Sequence, residues 1–508
     1  MLVALRFPLK FRHYIMQCVT TASYSLNLNG NVFGFFKGQR GLRQGDPLSP
    51  LLFTICMEYL TRLMAHTTRD NGFRYHSLCK PLKLTHLMFA DDLLLFCKGD
   101  AKSIMIILRT FSTFSRASGL RMSQGKSNAY FNGVKSNIKA EILQISGFVE
   151  GQLPFKYLGV PIKTTGLNSQ DCKPLIEKIV SKIRGLGARK LSYAGRLVLV
   201  KAVLKTYHTY WASMFILPKG VIAHYTRTPL ISWDKICKPK TEGGLGLKDD
   251  AIWNQAAIGK LVWWIFANPD QLWVKWVNHI YIKQKTWIDY SPPPDSSWYW
   301  RKICQTKGMF ETAYRQQAWK NQKGLDYTVA KGYDYLRHRG DKVQWFELVW
   351  HKWSTPKHSI LAWLYHHNGL NLKEKLQRLG IIEEDTCCIC GLASETKEHL
   401  FFRCQYSMKV IEAVGTRLNI RLPTQNLPQS CRSCSGSKNK IGILSAIINA
   451  CMYNIWKQRN ASRLELQILR PTSIASSIVD ELRIRLMGFA SSKEKDEDRR
   501  LIERIIRS

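Results

Sequence analysis

Two adjacent carboxylates, Asp91 and Asp92, stand in the run HLMFADDLLLF (His86 to Phe96), which is otherwise almost wholly apolar and has no lysine or arginine beside them. Two like charges about 5 Å apart repel by roughly 3 kcal/mol at an effective dielectric near 20. An unpaired buried charge is costly as well, so something must offset the pair. The flanking segments Leu84 to Ala90 and Leu93 to Cys97 have the length and apolarity of strands, with both faces apolar, and predict internal strands joined by an Asp-Asp turn. Asp-Asp is not a favoured two-residue hairpin loop. An ordinary surface turn is the bland alternative. The chemical reading is a pair of hard oxygen ligands for Mg²⁺, which takes one or two carboxylates and completes its shell with substrate phosphates and water. Nucleotidyl transfer by two metals uses such ligands.

The second group with ligand spacing is Cys387-x2-Cys390-x8-His399-x4-Cys404. Three thiolates and an imidazole are enough for a closed tetrahedral Zn²⁺ site with a structural role. Cys388 competes with Cys387, although its spacing to Cys390 is short. Cys431 and Cys434 form another C-x2-C, but joining it to the first leaves a loop of roughly forty residues, longer than ordinary zinc ribbons. Unliganded buried thiols are the alternative to a site. His366 and His367 have no ligand spacing and read as exposed polar residues.

The whole chain narrows the partners. Its 508 residues carry 75 Lys plus Arg against 37 Asp plus Glu, a formal net charge of +38, and 45% apolar residues. That is a globular protein whose natural partner is nucleic acid. A membrane surface is the competing acceptor, but no apolar run reaches the roughly 18 residues of a spanning helix. In the opening MLVALRFPLKFRHYIMQC, Arg6 and Lys10 break the apolar core of any export signal. Most of the 14 cysteines are scattered singly among apolar residues, as reduced thiols of an intracellular protein are. Fourteen of the 16 tryptophans fall between Trp233 and Trp363. Base stacking is one use for them, but near-helical spacing favours the core.

These residues must be positioned by an α+β region over residues 1–165, where strand-like alternations mix with helices and turns fall at NLNGN, KGQRG and CKGD. Helical periodicity takes over in 166–290, with a glycine-rich turn at EGGLGL, and SPPPDSS (Ser291 to Ser297) marks a boundary. A linker and helical region (291–345), the segment holding the Cys/His cluster (346–460), and an amphipathic helix with a solvated charged tail (461–508) follow. In GLRQGDPLSP, Gly41 and Gly45 permit positive φ, and Asp46-Pro47 and Ser49-Pro50 read as two nested helix starts.

FADD within HLMFADDLLLFCKGD resembles the catalytic hairpin of reverse transcriptases, and GLRQGDPLSPLLFTICMEYLTRL is similar to the loop and helix before it in plant non-LTR retrotransposons. SGLRMSQGKS, LPFKYLGVPI, LSYAGRLVLVKAVL and WDKICKPKTEGGLGL resemble successive later blocks, and EHLFFRC and WSTPKHSILAWL resemble the zinc-binding domain that follows. The resemblance implies a partial palm of antiparallel sheet and helices, a helical thumb or connection, and a mostly helical zinc-binding domain. It makes Asp91 and Asp92 the catalytic Mg²⁺ ligands, places Gln44 and Gly45 at the template base and incoming nucleotide, Lys126 near the triphosphate, and Tyr157, Leu158 and Gly159 under the primer end. RNA template, DNA primer and dNTP are the implied partners, and nuclear residence follows from how such elements copy themselves.

Departures accompany the resemblance. Ser123 stands where the family has an asparagine, and VIAHYTRTPLISWDK is shorter than the family strip. Palm chemistry also draws a further aspartate from an earlier strand. Upstream of the hairpin only Asp46, Glu58 and Asp70 are acidic, and none suits that role. The expectation is a chain lacking that strand and the fingers, inactive alone. A nucleic-acid-binding protein without catalysis is the rival reading. Neither a ribonuclease H acidic set nor an endonuclease domain is visible.

Overall fold

The computed structural model describes residues 1–39, 41–69, 72–185, 191–218, 231–321, 324–422, 437–464, 467–488 and 496–507. They fall into two units, one built from residues 1–164 and 264–295, the other from 165–263 and 296–508. The class is α+β: helices joined to short two-stranded pairs, all antiparallel among the described residues except one. Asp70, the Cys431/Cys434 pair and most of the shortened strip near residue 225 lie outside the described residues. No helix among those described is long and apolar enough to cross a membrane.

In the first unit, α1 (Leu9–Thr20) leads into the ribbon β1 (Ser23–Leu28) and β2 (Asn31–Lys37). Its Asn29-Gly30 turn has φ of +51° and +87°, the two left-handed residues that a tight hairpin turn needs. α2 (Ser49–Thr67) and α3 (Ala101–Ser118) pack through Leu60, Met64, Ile107 and Phe114. Asp100 caps α3 by accepting from the Ser103 N–H at 3.0 Å, and Gly119 ends it with φ +76°. Against this helix pair lies the ribbon β3 (His86–Phe89) and β4 (Asp92–Leu95), through Met88, Leu93 and Leu95. The short parallel pair β5 (Asn128–Ala129) and β6 (Val149–Glu150) brackets α4 (Ser136–Ser146), and the hairpin β7 (Phe155–Tyr157) and β8 (Val160–Ile162) closes the segment.

The second unit is a helical assembly around one large apolar core. α5 (Pro356–His366) buries every residue from His358 to Tyr365, as a helix apolar all round must. Around it stand α6 (Gln405–Leu418), α7 (Lys438–Arg463), α8 (Pro471–Met487) and α9 (Asp496–Arg507). α9 replaces the solvated tail read from sequence. Leu501, Ile502, Ile505 and Ile506 form an apolar stripe among its charges, and Ile502 and Ile505 are buried. The Asp498 carboxylate accepts from the hydroxyl of Ser437, the N-cap of α7. None of the sixteen tryptophans is exposed, and Trp263 and Trp353 are fully buried, so the core reading of the aromatics holds. Trp263 stacks on Tyr327 with ring centres 5.9 Å apart. A side chain at Gly332 would meet the Tyr327 hydroxyl at 2.0 Å, which is why glycine stands there.

His366 and His367 are not the exposed residues expected. His366 lies flat on Trp345, with ring centres 4.8 Å apart and planes within 4°, and His367 Nε2 donates to the Gly243 carbonyl at 2.7 Å. Burial, with the Lys397 and His367 charges adding to it, pushes His366 down to about 4. A base held below its ordinary pKa by folding resists protonation. Its contribution to stability is therefore complete above about pH 6.5 and is lost as pH falls toward 4. Thermal unfolding followed by circular dichroism is expected to show a midpoint that declines across that window, and less steeply in His366→Phe.

Candidate functional site

The carboxylate pair sits at the tip of β3–β4. Phe89 pairs with Asp92, so the two-residue loop is Ala90-Asp91, one position earlier than the Asp-Asp turn read from sequence. Ala90 takes φ +49°, a conformation that costs a β-carbon some strain. Asp91 occupies the loop and Asp92 opens β4, and both are exposed. The strands are not internal on both faces either: Met88, Leu93 and Leu95 pack against the helices while Leu87 and Phe89 stay open at 39% and 60% exposure. A two-stranded ribbon on two helices has only one face to bury. The pair therefore carries no large burial cost, and a counter-ion is not demanded on that ground. The ribbon's base is fixed by His86, whose Nε2 lies 3.2 Å from Thr61 Oγ1 and whose Nδ1 lies 2.8 Å from Thr85 Oγ1.

The remaining family positions lie in the same unit. Gly41 and Gly45 have φ of +85° and +87°, as expected, and Gln44 and Gly45 are exposed. The two nested helix starts resolve into one. Asp46 Oδ1 accepts from the Leu48 N–H at 2.8 Å in a turn, the Ser49 hydroxyl donates to the Arg43 carbonyl at 2.6 Å, and only then does α2 begin, with Pro50 in its first turn. Lys126 ends an exposed 3₁₀ turn, Gln124–Lys126. Leu158 and Gly159 form the β7–β8 turn with φ of +50° and +79°. Burial, and after it the Asp92 charge, raises the Tyr157 hydroxyl. Among the described residues no hydrogen bond or ion pair joins Gln44, Gly45 or Lys126 to the aspartates.

In the second unit Cys387, Cys390, His399 and Cys404 converge, with one ligand atom from each within 4.8 Å of the others. Cys390 Sγ and His399 Nε2 are 3.2 Å apart. Cys404 precedes α6, and its sulfur receives the Cys387 thiol and the Ser407 and Tyr406 N–H groups. Together these outweigh burial and bring it down to about 7, since a helix N-terminus favours thiolate. The Ile389 and Cys390 N–H groups also reach Cys387, but its own bond to Cys404, and after it burial, push that thiol up to about 12. Soft donors, tetrahedral in number and already served by N–H groups, fit a zinc ion.

Cys388 is excluded from this set by its own partner. Its thiol donates to Glu395 Oε2 at 2.9 Å, and burial followed by that bond pushes it up to about 11. Glu395 is wholly buried, and Arg459 on α7 meets its other oxygen at 2.5 Å through Nη2 and 3.1 Å through Nε. The Lys373 N–H adds a bond at 2.9 Å. Burial alone would raise the Glu395 carboxyl, but the Arg459 and Cys388 bonds prevail and lower it. Sequence reading missed Glu395 and Arg459. A carboxylate between two ligands in GLASETKEH was the only signal.

Residues 3–162 match the reverse transcriptase (RNA-dependent DNA polymerase) family, and residues 327–410 match the zinc-binding domain in reverse transcriptase. A Pol polyprotein from the type-1 retrotransposable element R2 of Nasonia vitripennis is 26% identical over 261 residues, 48% of this chain and 23% of its own length. An Arabidopsis thaliana protein named for ribonuclease H is 28% identical over 166 residues, 28% of this chain and 26% of its own length. The chain belongs to the non-LTR reverse transcriptases. It spans about a quarter of the length of those two relatives. An uncharacterised mitochondrial protein of A. thaliana is 34% identical over 115 residues, 21% of this chain and 87% of that protein. The reverse transcriptase match takes in Gln44, Gly45, Asp91, Asp92, Lys126 and Tyr157 to Gly159, and the zinc-binding match takes in all four converging ligands.

Removing one partner of a buried ion pair leaves the other charge uncompensated, at a cost of about 3–5 kcal/mol. Arg459→Leu is expected to lower the stability of the zinc-binding unit by that order in urea unfolding, whereas the exposed pair Arg62–Glu58, 2.9 Å apart, is expected to give less than about 1 kcal/mol when broken.

Proposed function

We propose that the chain is part of an RNA-directed DNA polymerase of a non-LTR retrotransposon, using RNA as template, a DNA 3′ end as primer and dNTPs as substrates. The observation that carries this reading is the exposed Asp91-Asp92 tip of the β3–β4 hairpin, within residues that match reverse transcriptase. The two carboxylates are the hard oxygen donors for Mg²⁺. When bound, Mg²⁺ supplies the positive charge that activates the primer hydroxyl and stabilises the leaving pyrophosphate. Gly45, with no side chain and positive φ, lets the loop backbone approach the template and nucleotide, and Gln44 offers an amide there. Lys126 meets the triphosphate, and the Tyr157-Leu158-Gly159 turn supports the primer end. Cys387, Cys390, His399 and Cys404 hold a structural Zn²⁺, and the protein works in the nucleus.

A second reading, nucleic-acid binding without turnover, is favoured by one observation. Among the described residues no third acidic, histidine or cysteine ligand groups with Asp91 and Asp92; Glu58 pairs with Arg62 and Asp46 caps its turn. On this reading a palm of these residues alone needs a further carboxylate.

Primer extension on an RNA template with Mg²⁺ separates the two. Measurable incorporation that disappears in Asp91→Ala supports the polymerase, and no incorporation by the parent chain with retained, salt-sensitive binding supports the alternative. Metal analysis is expected to find one zinc per chain in the parent and in Cys388→Ser, and to find it lost in Cys390→Ser. An equal loss in Cys388→Ser would sink the ligand assignment.

A further inference from the structure

We infer that one face of the β1–β2 ribbon in the first unit is the docking surface for a second copy of this chain, which closes against the same face of its partner as a two-fold pair. The ribbon is built with two unlike sides. Alternate residues of a strand share a face, and residues directly opposite on the paired strand share it too. Tyr24 pairs with Phe36 and Leu26 with Phe33, while Ser25 pairs with Phe35 and Asn27 with Val32. Between these pairs the register shifts, leaving Gly34 with no opposite residue, at φ +59°. That bulge turns Phe33 and Phe36, three positions apart, to the same side. Tyr24, Leu26, Leu28, Phe33 and Phe36 therefore form one apolar face, on which the Tyr24 and Phe36 rings stack with centres 5.8 Å apart.

This face is open. Leu26, Leu28, Phe33 and Phe36 are 56%, 59%, 51% and 54% exposed. Four side chains of roughly 180 Å², each about half open, leave on the order of 400 Å² of apolar surface. Single exposed leucines need no partner, but a contiguous patch of this size marks an interaction site. A standard interface buries about 800 Å² on each side, somewhat over half of it apolar. The ribbon face supplies that apolar share. It also lacks support of its own, since among the described residues the sheet has only these two strands, and a lone two-stranded hairpin is marginal in water.

Charge selects the occupant. In a chain that is 22% charged, residues 23–37 carry only Lys37. A phosphodiester, an anionic membrane or an acidic segment would find almost no cation here to meet. A copy of the same neutral face is complementary to itself, as a two-fold interface must be. The net charge of +38 sets two copies against each other, and on this face they can touch without opposing like charges. Salt screens the remaining repulsion beyond about 8 Å at physiological strength.

Sedimentation equilibrium of the nuclease-treated full chain, over a range of protein and salt concentration, tests the pairing. A monomer–dimer equilibrium with a Kd on the order of micromolar is expected, tightening as salt rises, the reverse of a nucleic-acid contact. Leu26→Asp/Phe33→Asp is expected to weaken it roughly a hundredfold. Phe35 is 82% exposed but belongs to the opposite face, so Phe35→Asp is expected to leave the Kd unchanged. Circular dichroism and zinc content are expected to be the same in all three chains, and amide exchange in β1 and β2 to slow as protein concentration rises. A parent chain that stays monomeric throughout overturns the second copy as occupant. A dimer that survives the double variant overturns this face as the contact. Association weakened equally by Phe35→Asp is unspecific adhesion and overturns the two-fold pair. Exchange slowed by an oligonucleotide but not by protein concentration gives the face to bases and overturns the inference as well.

Discussion

The buried Glu395–Arg459 pair governs the zinc-binding unit. Taking a carboxylate and a guanidinium out of water costs several kcal/mol for each ion unless the remaining hydrogen-bonding positions are filled. Here they are filled: Arg459 takes one carboxylate oxygen through Nε and Nη2, Cys388 the other, the Lys373 N–H joins them, Nη2 also reaches the Asn371 carbonyl at 3.0 Å, and Nη1 donates to Asn460 Oδ1 at 3.1 Å. That demand fixes the cysteine knuckle against α7. The Ser462 hydroxyl completes the join by donating to the Cys388 carbonyl at 2.7 Å. Where the ligand sulfurs point is therefore decided by a helix far along the chain.

The same pair explains which parts were legible in sequence. The four ligands lie within one short segment, so their spacing alone announces them. Glu395 and Arg459 are 64 residues apart, and neither carries a local mark that names the other. His366 and His367 were misread for a similar reason. The Gly243 carbonyl that binds His367 is 124 residues away, and polarity suggested solvent where packing supplied a partner. In α9 the charges hid a short apolar stripe.

The three hairpins described in the first unit form a graded series. Asn29-Gly30 declares its turn because both residues favour left-handed backbone. Leu158-Gly159 declares half of it. Ala90-Asp91 declares nothing, and a one-residue slip in an all-apolar run leaves no alternation to betray it. An Asp-Asp turn would put both carboxylates in the loop, whereas one lies in the loop and the other begins a strand. The charge of the tip was legible, and its geometry was not.

The two candidate metal sites are prepared to different degrees, and this ties the basic surface to the chemistry. The Cys/His donors already converge and receive backbone N–H groups, so a metal there completes a site that folding has built. The Asp91-Asp92 tip is open and supplies only oxygen charge. On the proposed reading, its ion retains water and takes further ligands from substrate phosphates. Such a site is assembled only when a polynucleotide and a nucleotide are present, and their capture depends on cations elsewhere on the chain. An excess of +38 is then part of the condition under which two exposed aspartates can hold a metal at all.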